Sequence, residues 1–445
     1  MSLGVQAPDP GAGDENAVRL VLLHDAQGKA LVLLPARSLL NLGNIWSLTG
    51  RRLQTTRGED AQRFFSQAGL QNEAGQKRLM ASLPLIIDQT LEGAPALLLR
   101  ELYSGLAFSW RYPGSSEQPV QFADISVSQS KLASPRPGEG QDEAAITRAV
   151  ERFTALRIQQ RLEDTLGLPA LAPTTQKIIM LRSDPDAGVD DLVPVVRLDP
   201  SLSAQVMSWA VSPYYAAPGK VSSIDDAVIR VLGFDLVVNL ALGIAMGQVL
   251  RVPDDMPRGS TPYWQQAVYA ATLSEMLARK IPLERRPKVG LVYLSGLLHN
   301  FGYLVLAHLF QPQFSVLSRY IEANPHLEPV MVEQQVLNVT RDQIGGWLLD
   351  SWNLPAEVCA AIRQQQMESP DEEVEPYVGL LQLTTRLLRA EGLADGPVHA
   401  IEPALYERLG LTADQVADAV ESLKASQDEL TELTHTLSKS RAQAS

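Results

Sequence analysis

The stretch "GLLHNFGYLVL", residues 296–306, decides how the second half of this chain folds and what its site can do. Apolar side chains fill most of its positions, and His299 and Asn300 stand as a polar pair among them. This composition predicts a buried helix that carries one imidazole. A metal-binding histidine needs further ligands, and the next residue offers only the neutral amide of Asn300. The stretch therefore fits either an unusual working site or a fold whose site has been lost.

Length and composition limit the function classes. At 445 residues the chain has room for two or three domains, and its 45% hydrophobic and 20% charged content is typical of globular proteins. The net charge of -13 disfavours general affinity for nucleic acid or anionic lipid. We find neither a secretory signal nor an uninterrupted membrane-spanning run, so we expect a cytoplasmic protein without membrane contact. Cys359, the only cysteine, excludes an internal disulfide.

The residue pattern predicts a multidomain chain. Residues 17–125 mix strand and helix signals, with two strands around a turn at Gln27 and Gly28, and predict a small α/β domain. Residues 126–143 are rich in Ser, Pro, Gly and charge and predict a linker. Helical spacing dominates residues 144–415, which predicts an all-α domain, and residues 416–445 predict a C-terminal helix and tail.

Helix boundaries in the second half are well marked. Asp199 before Pro200 is typical of a capped helix start, and Gly233 is placed to end the helix of "SSIDDAVIRVLG". His308 follows His299 by nine residues. On one straight helix the two imidazoles would project from opposite sides, so they could not chelate an ion together.

Several ordered segments of the second half share a family resemblance. They include "LPALAPTTQKIIMLRSDPDAGVDDLVPVVRLDPSLSAQVMSWAV", "YWQQAVYAATLSEMLARK", "YLSGLLHNFGYLVLAHL" and "VEQQVLNVTRDQIGGWLLDSWNLPAEVCAAIRQQQ". Together they resemble the HDOD family of bacterial signalling modules over roughly residues 160–415. The resemblance implies an all-helical domain that is related to the HD phosphohydrolases and serves in regulation, without catalysis.

The related phosphohydrolases hold a divalent ion with several imidazoles and carboxylates. In this chain the resemblance puts an amide at Gln266 and an arginine at Arg341 where histidines are common, and Asn300 at the place of an aspartate. The positions of this degenerate site are Gln266, His299, Asn300, Arg341, Gln364, Gln365 and Gln366. His299 alone keeps an imidazole, so we expect no catalytic residue, no metal and no cofactor.

The first half has a resemblance of its own. "VRLVLLHDAQGKALVLLP" and "GQKRLMASLPLIIDQTL", within residues 17–112, are similar to the YbaK family of aminoacyl-tRNA editing domains. Those relatives are deacylases that use a lysine and a glycine–proline loop. Arg19 stands at the lysine position and the loop before Lys77, "AGLQNEAGQ", contains no proline, so the resemblance implies a degenerate domain. The residues that could contact RNA are Arg19, Arg51, Arg52, Lys77 and Arg78.

These features favour a non-catalytic cytoplasmic signalling protein that binds a protein partner through its HDOD domain. Whether the chain forms a homo-oligomer stays open. One alternative is an aminoacyl-tRNA deacylase or tRNA-binding protein that acts through the first half. A second alternative is an atypical HD phosphohydrolase. The sequence indicates neither the partner nor the input signal.

Overall fold

An α/β half is followed by a helical half. The computed structural model describes residues 17–56, 58–94, 96–113, 118–132, 139–154, 166, 171–211, 221–428, 430–431 and 434. Strands occur within residues 17–127, and the described residues from 139 onward form helices and turns apart from an isolated bridge at Val398. The division into an α/β region and an all-helical region therefore agrees with the sequence.

The described residues of the α/β half form nine strands and three helices. The strands are β1 (Ala17–Asp25), β2 (Gly28–Pro35), β3 (Leu39–Leu40), β4 (Gln54–Thr55), β5 (Leu85–Asp88), β6 (Leu97–Arg100), β7 (Ala107–Trp110), β8 (Val120–Ala123) and β9 (Ser126–Val127). The helices are α1 (Leu42–Thr49), α2 (Gly58–Phe65) and α3 (Glu73–Ser82). Short 3-10 turns lie at Ala68–Leu70, Gln89–Leu91 and Gln129–Lys131.

Seven of these strands form one mixed sheet. Its order is β7-β6-β1-β2-β5-β8, with β4 pairing to β1, and β3 pairs with β9 in a separate two-stranded sheet. The predicted turn at Gln27 and Gly28 is confirmed, since it joins β1 and β2 as an antiparallel hairpin. Asp25 Oδ1 accepts from the amides of both turn residues, at 2.8 and 3.1 Å, and Gly28 takes the positive φ of 138° that glycine tolerates.

Helices α4 to α19 make up the second half. They are α4 (Glu139–Phe153), α5 (Pro173–Ser183), α6 (Val189–Arg197), α7 (Pro200–Ala210), α8 (Ile224–Asp226, continued by π-helical turns Ala227–Leu232), α9 (Phe234–Val249), α10 (Tyr263–Lys280), α11 (Val289–Leu298), α12 (Phe301–Leu309), α13 (Gln311–Ala323), α14 (Pro329–Leu337), α15 (Arg341–Ser351), α16 (Ala356–Gln364), α17 (Glu375–Ala390), α18 (Pro403–Leu409) and α19 (Ala413–Ala425). A 3-10 turn lies at Leu283–Arg285.

The boundary signals of the helical half are confirmed. Asp199 Oδ1 accepts from the amide of Leu202 at 3.1 Å, so it caps α7 as predicted. Gly233 ends the turns after α8 with a φ of 79°.

The expectation of one straight helix through His299 was wrong. Helix α11 ends at Leu298 and helix α12 begins at Phe301. Between them Asn300 adopts φ -103° and ψ 9°. The break leaves His299 and Asn300 at a helix junction.

Helices α11 and α12 form the centre of the helical core. Within the described residues, Val289–Leu309 is the one run that is long and apolar enough to span a membrane by composition. Its most apolar window is 83% buried inside the protein. Burial of this kind is typical of core helices that pack against other helices.

The sheet joins the two halves through a shared core. Leu31 and Leu33 of β2 pack with Phe65 and other residues of α2 and α3 on one face. Val32 and Leu34 point to the opposite face, as alternation along a strand requires, and belong to the same apolar cluster as the helical half. The halves are therefore joined by continuous apolar packing across one face of the sheet.

The predicted linker, residues 126–143, is structured at both of its ends. Ser126–Val127 pairs with Leu39–Leu40, and α4 begins at Glu139. Asp142 is fully buried and its carboxylate accepts from Arg363 Nε at 2.9 Å. Only residues 133–138 of that range lie outside the described residues. The local composition predicted a flexible linker. It could not show that Asp142 would be held by Arg363, which is more than two hundred positions away in the sequence.

Candidate functional site

A cavity of about 380 Å³ lies where the two halves meet, and it collects most of the predicted site. Gln266 reaches it from α10, the His299–Asn300 break lies between α11 and α12, and Arg341 begins α15. Six of the seven predicted positions line this one cavity: Gln266, His299, Asn300, Arg341, Gln365 and Gln366. Six positions that are spread over the sequence from 266 to 366 therefore lie together around one cavity.

Gln364 lies outside the cavity wall. Its Oε1 accepts from the amide of Asp371 at 2.9 Å, and its Nε2 donates to the Asp371 carboxylate. This side chain ties the end of α16 to the following loop. Because successive residues on a helix point in different directions, the three neighbouring glutamines cannot all face one cavity.

The ring of His299 is buried and neutral. Its Nδ1 lies 2.7 Å from the carbonyl oxygen of Gly296, and Nδ1 must carry the proton because a carbonyl only accepts. Burial lowers the pKa of His299 to about 4, and the nearby charge of Arg341 acts in the same direction. The Nε2 atom therefore keeps a lone pair and is able to accept a hydrogen bond.

Arg341 holds a fixed positive charge beside that histidine. Its Nε lies 2.5 Å from Oε1 of Glu333, a fully buried residue on α14, and its backbone amide donates to Oε2 at 2.8 Å. Its Nη1 donates to Asn300 Oδ1 at 3.1 Å, and its guanidinium lies 4.3 Å from the ring centre of Tyr303. Burial alone would lower the pKa of Arg341, but Glu333 reverses the shift and raises it.

The carboxyl groups of the wall were missed by sequence reasoning, and two of them bind predicted glutamines. Asp342 accepts from Gln365 Nε2 at 2.9 Å, and Asp395 accepts from Gln266 Nε2 at 2.9 Å. Burial raises the pKa of both carboxyls, most strongly that of Asp342, where Glu333 adds repulsion. In the sequence Asp342 looks like an ordinary acid at a helix start and Asp395 like a turn residue, so neither pattern singled them out.

Two further arginines of the wall are paired. Arg389 donates to both carboxylate oxygens of Glu328, at 2.7 and 3.0 Å, and Arg258 donates to Glu322 at 2.7 and 3.0 Å. Burial alone would raise the pKa of Glu328, but Arg389 outweighs it, with help from His399, and lowers the value to about 2. Each of these cations is therefore neutralised within the protein.

These residues do not fit a divalent metal. Among the described residues, no group of three or more His, Cys, Asp or Glu side chains is arranged to hold an ion. His299 offers one imidazole nitrogen, while the amide oxygen of Asn300 already accepts from Arg341. The positive charge of Arg341 would also repel a cation at this position. No chemical step through a metal follows from this set.

Arg19 lies in the joint between the halves and not on an RNA-facing surface. It is 1% exposed, and its Nη1 lies 2.9 Å from both the carbonyl oxygen of Ala323 and Nδ1 of His326. Its Nη2 donates to Asn324 Oδ1 at 3.1 Å. Burial lowers the pKa of Arg19 to about 9. The sequence grouped this residue with surface cations because partners three hundred positions away cannot be read from a local pattern.

The other predicted RNA contacts are spread over the α/β half. Arg51 forms an ion pair with Asp25 at 2.5 Å, and the guanidinium of Arg52 lies 4.8 Å from the ring centre of Trp46. Lys77 pairs with Glu73 on α3, and Arg78 is exposed on the same helix. Helices α1 and α3 bury their apolar residues in different clusters on opposite faces of the sheet, which separates the two basic pairs.

Known proteins place the chain in a family. The HDOD domain matches residues 168–368. A proposed signal transduction protein from Marinobacter aquaeolei VT8 is 37% identical, with a TM-score of 0.86 over 98% of this chain and 97% of its own. An HDOD domain protein of unknown function from Geobacter sulfurreducens is 21% identical, covering 66% of this chain and 98% of its own with a TM-score of 0.52, and is similar in fold.

A curated relative matches only in part. An uncharacterised protein from Treponema pallidum (strain Nichols) is 25% identical over 236 residues, which are 53% of this chain and 44% of that protein. The chain thus spans less than half the length of this relative. The Marinobacter protein, in contrast, matches over nearly its whole length and that of this chain. Together with the domain match, this similarity establishes that the chain belongs to the HDOD domain proteins.

Proposed function

We propose that this chain is a non-enzymatic, cytoplasmic regulatory protein whose HDOD domain acts by binding a protein partner. The observation that carries the proposal is the Asn300–Arg341–Glu333 chain of contacts at the predicted metal position. An HD phosphohydrolase needs a metal-bound water there, and a paired arginine cannot supply one. The similarity to a proposed signal transduction protein supports the regulatory part of the proposal.

Exposed apolar side chains support a protein partner. Among the described residues, four of the six large apolar side chains that are exposed fall within residues 180–229: Met180, Leu198, Val211 and Ile229. Arg197, next to Leu198, pairs with Asp225, four residues before Ile229, so the end of α6 and the start of α8 lie against each other. Exposed apolar residues that lie together are typical of protein interaction sites.

We propose further that the α/β half is a YbaK-like domain without deacylase activity. Arg19, at the position where the resemblance places the lysine, is buried against α13 and its following loop. A residue enclosed in this way has no access to the ester of a charged tRNA. The alternative, a deacylase or tRNA-binding protein, is tested by the mobility of mischarged tRNA on an acid gel after incubation with the full chain.

The experiment for the main proposal measures hydrolysis and partner binding on the same full-length protein. We expect no turnover of a generic phosphodiester with added manganese or iron. Partner capture from a lysate of the source organism should be reduced by Ile229→Asp and Leu198→Asp. Leu283→Asp, at an equally exposed apolar residue outside residues 180–229, is the matched control and should leave capture unchanged. Metal-dependent turnover that is lost in His299→Ala would contradict the proposal and favour an atypical phosphohydrolase.

A further inference from the structure

The α/β half closes one side of the cavity. Gly58 and Glu59 at the start of α2 and Tyr103 in the turn between β6 and β7 belong to its wall, while the other lining residues come from the helical half. A methyl group added at Gly58 would lie 2.9 Å from the ring of Tyr103, so the two residues are closely packed. A molecule that fills the cavity up to this side would therefore touch both halves.

Residues 320–330 bind the α/β half and also line the cavity. Tyr320 Oη donates to Asn41 Oδ1 at 2.7 Å, and Asn324 Oδ1 accepts from the amide of Leu40 at 2.7 Å, so this segment holds the α/β half. The same segment contributes Ile321, Leu327 and Val330 to the cavity wall. A molecule in the cavity that contacts these side chains would therefore contact the same segment that holds the α/β half.

The charges of the wall indicate the class of ligand. Arg258, Arg341 and Arg389 each pair with a carboxylate of the protein. A phosphate or carboxylate ligand would have to displace one of these partners, because strong anion binding relies on available cations. Glu59 is exposed at the α/β side of the cavity and adds negative charge there. The wall thus disfavours anions.

Hydrogen-bonding and apolar groups remain for a ligand. Nδ1 of His299 is bound to Gly296, and among the described residues no donor to its Nε2 is found, so this atom can accept from a bound molecule. The cavity has the size of known small-molecule pockets. Its apolar wall includes Met256, Ile321, Leu327, Val330 and Ala394.

We propose that the cavity binds a small uncharged molecule that presents an N–H or O–H donor to His299 and an apolar part to the apolar side chains of the wall, and that its binding tightens the contact between the two halves. Nucleosides and sugars share this chemistry, and the test separates them. The inference goes beyond the proposed function, since ligand binding is measured without a protein partner and can succeed or fail independently of it.

The test soaks crystals of the full chain with uncharged fragments, nucleosides and sugars, together with the same compounds carrying a phosphate or carboxylate. We expect uncharged compounds in the cavity, with a donor within about 3.2 Å of His299 Nε2. Preferential occupancy by the charged counterparts would overturn the proposal. A cavity that stays empty with every uncharged compound would overturn it as well.

Solution titration of the best-occupying compound locates the site by mutation. His299→Phe keeps the ring but removes the acceptor, and Tyr103→Ala opens the wall of the α/β half; we expect each to weaken binding about tenfold or more. Tyr112→Ala, at a tyrosine that packs on Trp110 and Phe122 and does not line the cavity, should leave affinity unchanged. Binding that survives both cavity variants would contradict the assignment.

Hydrogen exchange tests the coupling between the halves. The amide of Leu40 donates to Asn324 and that of Gly43 donates to Tyr320 at 2.7 Å, so both report on the joint. We expect the bound compound to slow exchange at both amides. Saturating binding with unchanged exchange at Leu40 and Gly43 would refute the coupling.

Discussion

The guanidinium of Arg341 donates to Asn300 Oδ1 at 3.1 Å while Nε of the same side chain lies 2.5 Å from the buried Glu333. The contact joins the break after α11 to the start of α15. Glu333 on α14 binds the same arginine. At the predicted metal position, Asn300, Arg341 and Glu333 therefore bind one another. Because the arginine is held by both neighbours, its position does not depend on a ligand.

Substitution of Asn300 by aspartate should not create an enzyme. The new carboxylate would lie beside Arg341 and pair with it, so we expect the free energy of unfolding to change by no more than about 1 kcal/mol. Elemental analysis and thermal melting of the purified variant check this expectation. Uptake of about one manganese ion per chain by Asn300→Asp would show that the remaining ligands suffice.

Glu333→Gln should strongly destabilise the protein. It leaves the charge of Arg341 buried without a carboxylate, and we expect a loss of about 3 to 5 kcal/mol in the free energy of unfolding. Glu357→Gln is the matched control, since Glu357 pairs with Lys288 at the surface and should cost no more than about 0.5 kcal/mol. Denaturant unfolding measures both variants. Equal losses in the two would argue against a structural role for the Arg341 pair.

Gly302→Ala should disrupt the contact between α12 and α15. A methyl group at Gly302 would lie 1.9 Å from the carbonyl oxygen of Arg341, and backbone cannot yield as a side chain does. We expect a loss of about 3 kcal/mol or more in stability. Gly69→Ala is the control, since an added methyl there meets nothing within 4 Å. A fully stable Gly302→Ala variant would mean that the two helices are farther apart than described.

Stability should fall as the solution is acidified below about pH 6.5. The folded pKa of His299 is lowered to about 4, so the unfolded chain takes up a proton first and is stabilised relative to the folded one. Above pH 6.5 the free energy of unfolding carries no penalty from protonation of His299. Between pH 6.5 and pH 4 this free energy falls by about 3 kcal/mol. The free energy of unfolding of His299→Gln, measured by denaturant unfolding at several pH values, should depend less on pH across this range. An identical pH dependence in that variant would exclude His299 as a cause.

Arg19→Met should weaken the joint between the halves. It removes donors to Asn324 and Ala323, whose oxygens stay buried, and we expect a loss of about 1 to 3 kcal/mol in stability. Arg52→Met is the control at an exposed arginine of the same half. Exchange of the Leu40 amide should speed up in Arg19→Met alone. Equal exchange in both variants would contradict the role of Arg19 in the joint.

Local patterns predicted the fold well where the cause is local. The hairpin turn at Gly28, the cap at Asp199 and the stop at Gly233 depend on neighbours within a few residues, and all three are present. The same reasoning failed at the His299–Asn300 break, since an apolar run continues on both sides of it. After the break, Gly302 packs closely against the backbone of Arg341. This is a tertiary contact that the local sequence does not show.

The candidate site could be predicted only in part for the same reason. Six positions of the family resemblance line the cavity, but their partners are distant in sequence: Gln266 with Asp395, Asn300 with Arg341 and Gln365 with Asp342. Each pair is joined only after the helices pack. The role of the α/β half as a cavity wall could not be inferred from either half alone.

The metal content of the purified full-length chain decides between a protein-only network and a metal site at His299. We expect iron, manganese and zinc well below one equivalent per chain, unchanged in His299→Ala, because Arg341 and Asn300 occupy the position that an ion would need. A metal-to-protein ratio near one that falls in His299→Ala would contradict it, and would mean that the cavity is still a working metal site.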